Sequence, residues 1–536
     1  MDKTDEQQKR TPEMITISRA EYEEKNARLA SQDERISHLE NQIDLLLEAL
    51  RLARHKRFGT SSEQSDDSVM EQLSFLFDEA EVYQAAEEEQ STVVAEHKRH
   101  KKHEYALNHI PDDIPTERVE HRLEGAQLIC PRCGETMTEI GKEVVRTLKI
   151  VPAQTIVKED IYYTYACRNC EKNDIETPVV QAPREKNIIP GGFATPEAIA
   201  HIMTQKFVMA SPLYRQEQEL KRMGISLSRQ TMSNWILRAS EDYLAPVYRM
   251  LREELLKHDV LHADETRLQV LHEPGKTPQS ESYMWLYRTS GDTDKPVVLF
   301  EYQPGRGAKY PAAFLKDFQG CLHADGYAVY QKLPNVTLSI CWAHARRKFD
   351  EAVKSQPKSR AKGSPASQGL AYCDLLFRIE DSLAEENAEE RLKQRQKQAK
   401  PVLDAMFAWA NLQKDKTAPK SAFGKALTFL VNQWPYLTNY LKDGRLELSN
   451  NRAERSIKPF VMGRKNWLFA NAQAGAQSSA VIYSLIQTAM ANKLDPYRYL
   501  TWLLKTANTA DLTDEQTVKR LLPWNTPDEC AARRRT

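Results

Sequence analysis

No stretch of this 536-residue chain approaches 18 consecutive apolar residues, so nothing in it reads as a membrane span. The first ten residues, MDKTDEQQKR, lack the apolar run of a secretion signal, and a cytoplasmic or nucleoid location is expected. Net charge is missing too, because 75 basic and 75 acidic residues cancel. That excludes a uniformly basic surface but leaves separate patches. Lys98 to His103 (KRHKKH) and Arg452 to Lys465 are basic, while Glu87 to Glu89 is acidic. Cysteine is scarce: eight in the chain are too few for a disulfide scaffold, and four of them fall in two CxxC pairs. This suits a reducing compartment with one metal knuckle. The length exceeds one ordinary core, so two to four domains are expected.

Residues 18–57 read as one long helix. Ser18 and Glu21 match a capping box. Beyond them Tyr22, Leu29, Ile36, Ile43 and Leu50 recur every seven residues, with Leu39, Leu46 and Ala53 at the second core position, whose earlier members Lys25 and Gln32 are polar. Isoleucine at the first position and leucine at the second favour a parallel, leucine-zipper-like coiled coil and hence self-association. The alternative is an amphipathic helix packed on its own domain. Residues 58–124 read as linker, with a short acidic helix near Val69 to Glu88 and the basic run.

Residues 125–180 hold Cys130, Cys133, Cys167 and Cys170, arranged as CPRC and CRNC. Two such knuckles present four thiolates at the spacing of a closed, tetrahedral site for one structural Zn²⁺. The alternating segment between them offers two short strands to bring the knuckles together, and zinc would help fold a module short of apolar core. Residues 195–250 follow as a helix-turn-helix-like region. Thr195-Pro196 opens the first helix, Leu213 to Met223 forms the second, and SRQTMSNWILRA forms the third. Ile225, Leu227, Met232, Trp235 and Ile236 are its candidate core. Arg229, Gln230, Ser233 and Asn234 would face a major groove. Helical hairpins without DNA are common, so both readings stay open.

After Val260 the pattern turns to strands. VLHADETRLQV, YMWLYRTS and PVVLFEY read as successive strands, followed by a helix from about Lys309 to Phe318, the strand GCLHADGYAVY, another helix, the strand TLSIC and the helical WAHARRKF. This order predicts a mixed sheet with helices on its faces. Asp264 interrupts one strand and Asp325 ends another, each within the same Leu-His-Ala-Asp sequence. Two acids on adjacent strands can hold a divalent cation through hard oxygen ligands. Standing alone, they read more readily as surface acids at strand ends.

Longer signatures accompany them: HADET at His262, SYMWLYRTSGD at Ser282, HADGYAVY at His323, CWAHARRKF at Cys341, NRAERSIKPFVMGRKNWLFAN at Asn451, and YSLIQTAMANKLDPYRYLTWLL through LLPWN at Leu521 to Asn525. Together with the N-terminal coil, RFGTSSEQ at Arg57 and the paired CxxC knuckles, they resemble the large transposase protein of the IS66 family of bacterial insertion sequences. The resemblance implies a multidomain α+β/α/β protein with a ribonuclease H-like DDE core at about residues 258–500. A helical insertion would occupy about 350–446, and residues 501–536 would form a C-terminal tail element.

The implied catalytic triad is Asp264, Asp325 and Glu454, spaced 61 and 129 residues apart, with two Mg²⁺ (or Mn²⁺) ions as cofactors. The implied reaction is cleavage and transfer of DNA strands without a protein nucleophile. Its partners would be double-stranded DNA bearing terminal inverted repeats, target DNA, a second copy of the chain and small companion proteins, with no membrane. Arg452, Arg455, Lys458, Arg464 and Lys465 flank the glutamate, and two or three of them are expected to meet phosphate. Glu265 points away from Asp264 by alternation and is read as a surface residue or a support. His323, Cys341 and His344 lack a fourth ligand and are not read as a zinc site, while Trp467 and Phe469 are read as core. A zinc- and coil-containing DNA-binding regulator, or a nuclease of the same fold, are the competing readings.

Protein purified with all four knuckle cysteines is expected to carry one zinc ion per chain by elemental analysis, and Cys130→Ser or Cys167→Ser to lose it. Zinc-free protein with intact cysteines would refute the knuckle.

Overall fold

A computed structural model describes residues 19–58, 155–166, 179–184 and 186–532. The expected N-terminal helix is α1 (Arg19–Phe58). Its heptad residues Leu29, Ile36, Leu39, Ile43, Leu46 and Leu50 are all exposed, so this stripe is not spent on the helix's own domain. The acidic linker helix, the basic run and the four knuckle cysteines lie outside the described residues. Of the two strands expected between the knuckles, the described residues include one piece, β1 (Thr164–Ala166). It pairs antiparallel with β2 (Val179–Gln181), which follows the second knuckle.

Three helices then appear where the caps place them: α2 (Pro196–Phe207), α3 (Leu213–Arg222) and α4 (Arg229–Ala239). The Thr195 hydroxyl accepts from the Ala198 amide, and the Ser228 hydroxyl from Thr231, satisfying amides that a helix start leaves without partners. Gly224, with φ +81°, turns the chain between α3 and α4. Met232, Trp235 and Ile236 are buried as expected, while Ile225 and Leu227 are half-buried. A π-helical turn, Ser240–Leu244, carries α4 into α5 (Ala245–Leu255) and delivers the chain to the sheet.

β3 (Val260–His272), β4 (Glu281–Thr289) and β5 (Val298–Gln303) form an antiparallel meander. After α6 (Lys309–Phe314), β6 (Gly320–Ala324) adds parallel to β3, and β7 (Val336–Ile340) parallel to β6. The order is β5-β4-β3-β6-β7. The helix expected between β6 and β7 is instead one 3₁₀ turn, Tyr330–Lys332, because the short connection leaves no room for a crossover helix. α6 likewise stops earlier than its expected end.

From β7 the chain enters α7 (Trp342–Lys354), then α8 (Pro365–Ser382), α9 (Ala388–Gln394), α10 (Lys400–Lys414) and α11 (Ala422–Leu437). It returns to the sheet as α12 (Asn451–Trp467) and β8 (Ala470–Ala472), which pairs parallel with the far end of β3. α13 (Gln473–Ala491) covers the β5 edge, and α14 (Pro496–Thr509) packs on α2. The Ser484 and Thr488 hydroxyls accept from the Phe300 and Val298 amides at 2.7 and 3.0 Å, so this edge cannot template pairing with another chain. The mixed, helix-flanked sheet is consistent with a ribonuclease H-like core.

One buried cation fastens the helical insertion. Arg395 is fully buried, ion-paired with Glu380, and donates to the Tyr440, Asp443 and Leu446 carbonyls at 3.0, 3.1 and 2.7 Å. These carbonyls line the path back to α12. Arg395→Ala strands Glu380 and three carbonyls, and is expected to cost about 3–5 kcal/mol of local stability. Hydrogen exchange should show it as lost amide protection across residues 388–446, and unchanged protection there would refute the role.

Candidate active site

The two Leu-His-Ala-Asp segments lie side by side. Leu261 opposes Leu322 and His262 opposes His323 in the parallel β3–β6 pair. Each aspartate follows its histidine by two residues, so both acids leave the strands on the histidine face. The histidines themselves are packing groups: fully buried, with rings stacked 5.1 Å apart. Burial pushes His262 down to about 3 and His323 well below the usual imidazole range, so both are neutral.

The third acid arrives through one residue. Asn450, buried at the start of α12, donates from its side-chain amide to the Ala263 carbonyl at 2.8 Å. Its Oδ1 lies 2.9 Å from His262 Nδ1, which must therefore carry the proton. Its backbone amide meets Cys341 Sγ at 3.0 Å, and its carbonyl accepts from Ala453 and Glu454 at 3.0 and 3.1 Å. The first turn of α12 is thus held against the residue preceding Asp264.

Glu454 projects from that turn toward α7. Its Oε1 lies 3.9 Å from His344 Nδ1, and neither atom has a hydrogen-bond partner. Cys341, His344 and Glu454 each offer one donor atom within 4.8 Å of the others. Burial pushes the Cys341 thiol up to about 12, so the sulfur is protonated. Burial, then the Glu265, Asp325 and Glu454 carboxylates, push Asp264 well above the usual carboxylate range. Asp264 thus feels the charge of both other acids, although among the described residues the ligand atoms of the three do not all lie within 4.8 Å of one another. Hard carboxylate oxygens, one of them on Glu454 buried and unpartnered, are a donor set that a divalent cation fits.

Glu265 lies on the opposite face, as alternation predicts, but it is not a surface residue: its side chain is 1% exposed. It accepts from Arg306 Nε at 2.9 Å and from the Tyr330 hydroxyl at 2.5 Å, and Arg306 in turn lies over the Tyr327 ring at 3.8 Å. The Tyr327 amide donates to Asp325 Oδ1 at 2.9 Å. Glu265 therefore braces the loop that carries Asp325.

Among the expected DNA-facing residues, Arg229, Gln230 and Asn234 are exposed on α4 and Ser233 is half-buried. On α12, Arg455 and Lys465 are exposed and Lys458 is half-buried. Arg452 is drawn inward, 2.5 Å from Glu447, and Arg464 donates to Thr266 Oγ1 at 3.2 Å, on the Asp264 face of β3. Trp467 packs edge-to-face on Phe460, as expected for core. Phe469 does not: the chain turns at Leu468, whose φ is +63°, and leaves Leu468 and Phe469 exposed. Asn450 and Arg288, which donates to Ser456 Oγ at 2.5 Å, escaped the sequence reading. His344 was weighed there as a metal ligand with His323 and Cys341 and set aside, and the structure groups it with Cys341 and Glu454 instead. Only Asn450 carried a local signal, an asparagine just before a helix.

The family model described as Transposase IS66 family matches residues 191–478, which contain all three acids. The zinc-finger binding domain of transposase IS66 matches 127–171, spanning the four knuckle cysteines. The IS66 C-terminal element matches 484–524, and the model described as Transposase C of IS166 homeodomain matches 45–119. Three proteins of Sinorhizobium fredii (strain NBRC 101917 / NGR234) are similar along most of their length. Uncharacterized protein y4hP is 30% identical over 91% of this chain and 88% of its own. Uncharacterized protein y4jD is 32% identical over 78% and 82%, and uncharacterized protein y4qI 29% identical over 96% of each.

Asn450→Ala leaves the Ala263 carbonyl and the His262 ring without partners in a buried place. It is expected to cost about 2–4 kcal/mol, two groups at about 1–3 kcal/mol each with partial relaxation. Thermal unfolding checks it, and an unshifted transition would remove Asn450 from its role.

Proposed function

The chain belongs to the IS66 transposase family and is a DDE-type transposase, and we propose that Asp264, Asp325 and Glu454 are its catalytic acids. The observation that carries this reading is the junction itself: two acids from in-register parallel strands, and a third on a helix bonded to the same strand. When bound, two divalent cations, Mg²⁺ or Mn²⁺, would stabilise both the attacking and the leaving oxygen of an in-line phosphoryl displacement. Asp264 and Asp325 would hold one, Asp264 and Glu454 the other.

The chain's own groups act by binding and orientation. No side chain serves as nucleophile; water cleaves the strand, and the freed DNA 3′-hydroxyl attacks the target phosphate. Arg455, Lys458 and Lys465 on α12 hold phosphates along the approach, whereas Arg464 contributes from the β3 side and Arg452 through its link to Glu447. Asn450 and the Glu265–Arg306 pair fix the acids before DNA arrives, so little reorganisation is left for the reaction.

Further from the centre, Cys130, Cys133, Cys167 and Cys170 hold one structural zinc, in keeping with the zinc-finger match. Arg229, Gln230, Ser233 and Asn234 on α4 read the element's terminal inverted repeats. The exposed stripe of α1 joins two copies of the chain across paired ends. Companion proteins of the same element complete the assembly, at the bacterial nucleoid.

Asp264→Asn, Asp325→Asn and Glu454→Gln are each expected to lower cleavage and joining of terminal-repeat DNA with Mg²⁺ or Mn²⁺ by about 10²–10³-fold or more. Denaturing gels resolve both products. Equal cleavage by wild type and all three variants would sink the assignment, while cleavage without joining would favour a nuclease.

A further inference from the structure

We infer that His344 is a nitrogen ligand of the divalent cation held at Glu454. This rests on the acid assignment above. The His344–Glu454 distance is wrong for one interaction and right for another. At 3.9 Å, His344 Nδ1 and Glu454 Oε1 are too far apart for a hydrogen bond, which needs about 3.2 Å or less. Two donors around one cation, with metal–nitrogen and metal–oxygen lengths of about 2.0–2.2 Å, sit about 3–4 Å apart. Both atoms are buried and lack any other partner. Two polar atoms left unsatisfied face to face call for a shared ligand.

The neighbouring groups narrow the choice. Cys341 is the third member of the cluster, but its sulfur already accepts the Asn450 amide. His323 is stacked on His262 inside the sheet. His344 alone among these groups is both near Glu454 and uncommitted at Nδ1. It is also rigidly carried. α7 leaves β7 directly, its first residue donates to the Leu448 carbonyl at 3.0 Å, and the Trp342 indole donates to Leu437 at 2.9 Å. The same short segment that holds Glu454 therefore holds the start of α7.

An imidazole donor changes what the site prefers. Carboxylates and water suit Mg²⁺, whereas nitrogen donors raise the affinity for transition metals, Mn²⁺ among them. The full-length protein should therefore bind Mn²⁺ with a directly coordinated nitrogen, visible as ¹⁴N modulation in pulsed electron paramagnetic resonance. His344→Ala and His344→Asn should both lose that modulation. Mn²⁺ affinity should fall about tenfold or more, while Mg²⁺, measured by competition, should weaken less. His344 is partly exposed on a helix, and circular dichroism with thermal unfolding checks that the variants remain folded. Bound Mn²⁺ without nitrogen modulation in the wild type, while Asp264→Asn and Glu454→Gln lose the ion, overturns the histidine ligand and leaves the acids standing. Binding that survives all of these substitutions overturns both.

Discussion

The attachment of α12 to β3 through Asn450 is the constraint on which the site depends. Asp264 and Asp325 are brought together by sheet pairing, which is local and cooperative once β3 and β6 align. Glu454 has no such route. A long helical insertion separates it from Asp325, and the side-chain conformations of a glutamate on a loosely docked helix would sweep several ångströms. Asn450 removes that freedom by spending its side chain on the Ala263 carbonyl and the His262 ring, and its backbone on Cys341 and the first turn of α12. Five bonds from one residue join three elements, and the three that leave α12 are buried, so water competes poorly for them.

Once that junction exists, the acids repel one another, and the surroundings make the repulsion worse. Burial and three neighbouring carboxylates favour a protonated Asp264. The fold does not relieve this with a basic side chain at the centre. Arg306 is aimed at Glu265 on the opposite face, Arg452 at Glu447, and Arg288 at Ser456. These three cations are thus held by specific partners at the rim. The negative centre is suited to the divalent cations proposed for it.

Sequence reading reached the acids by different routes, and the structure explains the difference. The paired Leu-His-Ala-Asp segments revealed adjacent strands because strand alternation is local, and the same alternation put Glu265 on the far face. That Glu265 is buried was not legible, since its partners Arg306 and Tyr330 come from loops 41 and 65 residues away. Glu454 rested on family resemblance, because no periodicity spans the insertion. The roles of Asn450 and His344 depend on contacts between distant segments. The asparagine before a helix did not reveal its bonds to β3, and His344 was set aside as a ligand because its neighbour Glu454 lies 110 residues away in the chain. The missing helix between β6 and β7 is a different error: composition suggested a helix that the length of the connection forbids.

The N-terminal helix ties the proposed assembly to the same centre. Glu48 of α1 accepts from the Ser355 hydroxyl just past the end of α7 and from the Ala422 amide at the start of α11, both at 3.0 Å. A carboxylate at that helix start also meets the positive end of its dipole. In the heptad frame set by Ile43 and Leu50, Glu48 falls on the side opposite the apolar seam, and the seam residues are exposed. The docked face and the exposed apolar seam are therefore different faces of one helix. A second copy can pair along the seam while α1 stays fixed to α7, the helix that carries His344. A coil formed on that seam, as proposed, would leave the Glu48 contacts with Ser355 and Ala422 intact.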